Sequence, residues 1–372
     1  MNQFTKLSLI VLSALLLAVS ACKQDLAPLV IPDSYDGSSF QANAATEIQV
    51  ADQLGILSSA LKAGRDSATT LSSTDLLLDY STGNPSLASL TTPYYKSLVE
   101  AWLGEAAASS GKGFSFEDAP SQDGGVYVSY LFNGSGIEVE QLIEKGLFAA
   151  AMYNHAITLL AGNMTPATVD QLVAIYGANP GFPNSDNSST QSNPDRFMAK
   201  YAARRDPNDG TGIYTTLRDN FIKLKAALEA GVDYQPEADE AKGMIIEYWE
   251  KASMATTINY LTTTISTLSA SDPSNADIAS AMHAYSEAVG FLHGWRTIND
   301  GYRLITDDQI DGLLELMKAP AMGDYTAYTL VTDSFNQLPD LQTAIDDLQS
   351  IYGFSDAEVA SFALNQVSAQ GR

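Results

Sequence analysis

His283 stands four residues before Glu287 in a stretch that reads as one helix. That spacing puts imidazole and carboxylate on the same face, about one turn apart. Such a pair can co-ligate a metal ion, or the carboxylate can orient the ring. It also suits an ordinary structural pair. His293 cannot share an ion with His283 on a straight helix: it points about 80° away and lies about 15 Å along the axis. Gly290 and Gly294 read as places where another helix comes close.

Other polar residues could support this pair. Glu140 and Glu144 form a like-charge pair at four-residue spacing, which is unfavourable on its own. A bound cation would relieve it, as would Arg296 or Arg303 from another helix; two solvated carboxylates are the plain alternative. His155, in Ala150-Ala-Met-Tyr-Asn-His-Ala-Ile, falls on a largely apolar helix and reads as a hydrogen-bonded core histidine. The expected site is therefore His283 and Glu287 as ligands of a divalent or iron cation. Glu140, Glu144, His155, Arg296 and Arg303 are its supporting candidates. No catalytic residue is assigned. Gly-x-Ser-x-Gly, His-Glu-x-x-His, Walker and dinucleotide motifs are all missing from the sequence. Asp206-Pro-Asn-Asp-Gly lacks the alternating ligands and distal Glu of a calcium loop and reads as a turn.

The segments that must position these residues are helical. Apolar residues recur at three- and four-residue spacing over 42–63, and helices are expected at 93–109, 137–160, 165–177, 196–205, 213–230, 236–268, over most of 275–303, and at 306–318, 324–336, 340–352 and 355–368. Asp340 and Ser355 read as N-caps. The run from Val126 to Phe132 has no separate partner run, so no sheet is expected. The fold class is all-α: about ten helices in one or two packed antiparallel bundles. The long loop at 178–195 is the natural divide, and a loop of that length is functional or disordered.

The N-terminus is the most specific signal. Lys6 precedes an apolar stretch, Leu7 to Val19, too short to span a bilayer. Val-Ser-Ala-Cys22 follows, the pattern of a lipoprotein signal whose cysteine is lipidated. Residues 1–21 are thus an expected signal peptide, 22–41 a flexible tether, and 42–372 the helical domain. Lys23 after the cysteine favours the outer membrane, with the protein periplasmic or surface-exposed. The chain carries 44 Asp and Glu against 20 Lys and Arg, a net charge of −24. That argues against a nucleic-acid partner. The expected partners are the membrane, through the lipid, and a metal ion or an envelope protein.

Three stretches together resemble a family of bacterial lipoproteins described only as a domain of unknown function. They are Ile31-Pro-Asp-Ser-Tyr-Asp-Gly37, Glu144-Lys-Gly-Leu147 and His283-Ala-Tyr-Ser-Glu-Ala-Val-Gly-Phe291. The resemblance covers nearly all of the mature chain and implies an all-helical, exported protein with no established activity. More distantly, the arrangement is similar to the imelysin-like proteins. These are helical-bundle envelope proteins linked to iron uptake and once catalogued as peptidases, with a Gly-x-His-x-x-Glu motif. His283 and Glu287 would stand at its His and Glu. Here the spacing is His-x-x-x-Glu, and Ala281 occupies the Gly position. The expected function is a lipid-anchored helical binding protein of the cell envelope that handles iron or another metal ion. A non-catalytic surface scaffold is the alternative, and a hydrolase or peptidase the third reading.

Overall fold

The computed structural model describes residues 26–120 and 123–372. Cys22 and the expected signal peptide lie outside them. Among the described residues the chain is all-helical apart from one small hairpin, as its periodicity implied, with more and shorter helices than the ten or so expected. Among the described residues no helix is long and apolar enough to cross a membrane.

The first turn, α1 (Phe40–Asn43), leads into α2 (Ala45–Ala63). The segment read as a tether is packed before it reaches 41. Tyr35 and Phe40 are buried, and Tyr35 donates to Asp170 at 2.5 Å. Two short helices, α3 (Ser73–Ser81) and α4 (Leu87–Leu90), precede α5 (Pro93–Ser109). Pro93 opens α5, where its missing N–H would have no intrahelical partner anyway.

The expectation of no sheet is corrected. β1 (Gly124–Tyr127) and β2 (Tyr130–Asn133) pair antiparallel, Val126 opposite Leu131 and Tyr127 opposite Tyr130. The run at 126–132 lacks a separate partner because it folds back on itself. Val128, with φ 59°, makes the reversal. Phe132 of the hairpin packs against Phe114 and Phe116.

The helix expected over 137–160 is three pieces: α6 (Val139–Leu147), a π-helical stretch at Phe148–Tyr153, and α7 (Asn154–Ala161). The backbone N–H of Thr92 donates to Ala150 O in the widened turn at 2.9 Å. α8 (Pro166–Tyr176) starts with a Thr165/Thr168 capping box and stops at Gly177, φ 91°. α9 (Phe197–Arg205), α10 (Ile213–Ala230) and α11 (Gln235–Leu268) follow where expected, and α12 (Asn275–His293) starts where expected but stops at Gly294, short of Trp295.

The C-terminal helices differ from expectation. After α13 (Asp307–Leu316) the 324–336 region holds a single separate turn, α14 (Thr329–Thr332), and the start of the next helix. α15 (Ser334–Tyr352) begins upstream of Asp340 and carries Pro339 inside it. Asp340 pairs with Lys318 instead of capping. Ser355 does cap α16 (Asp356–Phe362), with Glu358 closing the box, but the chain breaks again before α17 (Gln366–Gln370).

α11 is the axis: α10, α12, α9 and α15 all pack on it, and α12 also packs on α6. Trp249 of α11 meets Tyr153 and Tyr176 at ring distances of 5.2 and 4.6 Å. Among the described residues, buried apolar side chains from Tyr35 to Val367 form one contiguous core.

Candidate functional site

The expected pair lies where α2, α6 and α12 meet. Gly290 makes the approach close: a Cβ there would stand 2.6 Å from Gln141 O. Glu138, just ahead of α6, is fully buried. Arg65 Nε donates to one of its oxygens at 2.7 Å, and His283 Nδ1 lies 2.6 Å from the other. Tyr130 of the hairpin stacks on the His283 ring at 4.5 Å and lies under the Arg65 guanidinium at 5.1 Å. Glu140 receives Arg65 at 3.0 Å and Ser58 at 2.9 Å, with Lys62 at 3.5 Å. Glu144 is held by Lys62 at 3.3 Å and Lys145 at 2.5 Å. Lys145 also reaches Glu287 at 3.2 Å, where the Tyr201 hydroxyl donates at 3.3 Å. His283 Nε2 stands 3.8 Å from Glu287, an ion-pair distance too long for a hydrogen bond.

The pair read from spacing is thus real, but the closer partner of His283 is Glu138. Four carboxylates, Glu138, Glu140, Glu144 and Glu287, face three permanent cations, Lys62, Arg65 and Lys145. A proton on Glu140 completes neutrality. Burial raises the Glu140 carboxyl, and Glu144 and Glu138 add to the shift. Burial is the largest influence on Glu144 and Glu287 and works to raise both, but Lys145 with Lys62 on Glu144, and Lys145 with His283 and Tyr260 on Glu287, together hold them below the usual range. Lys145 in turn keeps its proton tightly: burial opposes this, and Glu144, Glu287 and Glu140 overcome it.

The other candidates lie elsewhere. His155 Nε2 meets Glu47 at 3.1 Å. Arg296 makes a two-pronged bridge to Asp311, at 2.6 and 3.0 Å. Arg303 binds Asp307 at 2.6 Å and Trp295 O at 3.0 Å. Neither arginine relieves Glu140 and Glu144; Arg65, Lys62 and Lys145 do so. His293 is buried against Tyr94, Tyr95 and Trp102, its Nε2 2.8 Å from the Tyr94 hydroxyl. Among the described residues, no group of three or more His, Cys, Asp and Glu is arranged to hold a metal ion.

The 178–195 loop is the second feature. Asn184, Ser185 and Asp195 within it are buried. Phe182, Asn184 and Phe197 adopt left-handed backbone at φ 45°, 49° and 45°. Such residues carry local strain that surrounding structure must hold in place. The loop and the end of α8 form one wall of a groove of about 490 Å³, and α1 and α2 form the other. Phe40, Ile48, Ala178 and Phe197 line it, with Asn193 and Arg196 among its polar groups. Arg196 pairs with Asp52 across the rim at 2.9 Å. A groove of this size suits a small ligand or a short peptide segment.

The fold and its charges define a helical bundle whose densest polar cluster is neutralised from within. The chain belongs to the family described as Domain of unknown function (DUF4856), matched over residues 175–367. No curated protein and no solved structure matches it. The matched region contains the loop, Tyr201, His283 and Glu287. Arg65, Lys62, Glu138 and Lys145 precede it.

Proposed function

We propose that this chain is a lipid-anchored, imelysin-like helical binding protein of the cell envelope. It is held at the outer membrane through Cys22 and binds a ligand or envelope partner without transforming it. The observation that carries this reading is the loop from 178 to 197. A long loop fixed in one shape against a groove is a pre-organised wall, which lowers the ordering cost of recognition. The glutamate cluster fits as scaffold, because each of its acids already has a cation. The chain from Lys23 onward, used as bait in envelope extract, should capture a specific partner that Arg196→Glu and Phe197→Ala both lose. Capture indifferent to both changes would remove the groove from the reading. Diacylglyceryl mass on the Cys22 peptide, lost with Cys22→Ser, tests the anchor.

A second reading is the handling of iron or another divalent cation at His283 and Glu287. The observation favouring it is that Glu138 occupies Nδ1 and leaves Nε2 turned towards Glu287, the way a carboxylate orients a metal-binding histidine. Calorimetry of the soluble chain with iron, zinc and calcium decides it. Absence of heat, or heat unchanged in His283→Ala, would sink it.

A further inference from the structure

Asp195 closes the 178–195 loop on itself. Its side chain is buried, with one oxygen accepting the Asn179 N–H at 3.0 Å and the other the Ser185 N–H at 3.1 Å. Its own N–H returns to Ser185 O at 2.9 Å, and the next residue, Arg196, donates to Gly177 O at 2.8 Å. One carboxylate therefore ties two points of the loop together, and the backbone beside it holds the loop to the end of α8.

The charges around it are the wrong ones for a carboxylate. Asp186 faces it from the loop and Tyr176 lies near it on α8, while Tyr214 of α10 makes a side-chain contact that partly offsets them. Arg204 is committed to Asp186, at 2.9 and 2.7 Å. Asp206 lies beyond Asn184, and Arg372 binds the backbone carbonyls of Asn184 and Asp206 at 2.5 and 2.9 Å. Among the described residues no cation forms an ion pair with Asp195. Beside it, Asn184 Oδ1 and the hydroxyl of Tyr176 are buried without hydrogen-bond partners. A buried carboxylate without a cation is unfavourable when ionised, and a proton relieves it.

We infer that Asp195 is a proton-operated clasp, which holds the loop against the groove when protonated and loosens it when ionised. This rests on the reading of the groove as the recognition face. Burial is the main force, pushing the carboxyl from its ordinary 3.8 to about 7; the Asn179, Tyr214 and Ser185 contacts oppose it, and Asp186 adds to it. An opened loop hydrates the carboxylate and returns it towards the ordinary value. Closure is thus strongest below the ordinary value, weakens as pH rises towards 7, and levels off above.

Amide hydrogen exchange on the whole mature chain tests this, with rates corrected for the intrinsic effect of pH. Protection of the 179–185 segment should fall by up to about tenfold per pH unit between 5 and 7, then flatten. Segments of α11 should not follow it. Asp195→Asn should abolish the slope. Asp186→Asn leaves the clasp intact and should end the fall at a lower pH. Wild-type protection that does not change with pH overturns the clasp, as does an equal slope in Asp195→Asn or in α11. Partner capture at fixed pH is read separately. A slope without capture removes the groove reading and leaves the clasp; capture without a slope does the reverse.

Discussion

Lys145 is the residue on which the glutamate cluster depends. It is almost fully buried and touches both Glu144 and Glu287. Removing one partner of a buried pair strands the other charge, which costs about 3–5 kcal/mol. Lys145→Met should therefore lower stability by that amount in urea unfolding, and adding Glu287→Gln should recover part of the loss. Lys62 touches Glu144 and Glu140 from a side chain 39% exposed, so Lys62→Met should cost about 0–1 kcal/mol. His293 gives a pH test. Burial, with Arg296 adding, pulls its imidazole from the ordinary 6.5 down to about 3. Its neutral form stabilises the fold fully above pH 6.5, and that contribution is lost as pH falls towards 3. Wild-type stability should drop by about 1.4 kcal/mol per pH unit from this group across that window, and His293→Phe should remove that component. Local spacing made His283 and Glu287 legible in the sequence. It could not reveal Glu138, which is 145 residues from His283 and meets it only through the fold.

The helices themselves were largely legible, because apolar periodicity and capping residues are local signals. Three elements escaped for stated reasons. The hairpin is its own partner and turns on a non-glycine residue at positive φ. The π stretch at 148–153 interrupts an apolar run whose composition is fully helical. Asp340 read as a cap suggested a new start near 340, yet α15 begins upstream and tolerates Pro339 inside it. The seam of α12 on α6 was foreshadowed by Gly290 and Gly294. A Cβ at Gly294 would collide with the backbone of Gly146, and one at Gly146 with the Tyr95 hydroxyl. These neighbours are backbone and packed side chain, with little freedom to yield. Gly294→Ala should destabilise by about 1–3 kcal/mol, the usual penalty of overpacking. Gly312, whose Cβ would meet nothing within 4 Å, should tolerate alanine. Comparison of the two unfolding midpoints separates close approach from the general effect of placing alanine in a helix.

At the scale of the molecule, the family region and the folding unit do not coincide. The match covers 175–367, and those residues hold α9 to α16, including the long axis helix. Yet α12 inside it rests on α6 outside it, and one core runs from Tyr35 to Val367. Cutting at 175 would expose the face of α12 that carries Glu287, Gly290 and Gly294. It would leave Glu287 without Lys145, and His283 without Glu138 and the Tyr130 ring. Trp249 would lose Tyr153, and Lys225 would lose Asp170. Exposed apolar area and unpaired charges act in the same direction. A fragment of residues 175–372 should therefore keep helical far-ultraviolet circular dichroism but lose its near-ultraviolet signal and its cooperative urea transition. The chain from Lys23 to Arg372 should show both. A cooperative transition in the fragment would mean that the C-terminal helices hold a core of their own, and that the cluster between α2, α6 and α12 joins two folding units.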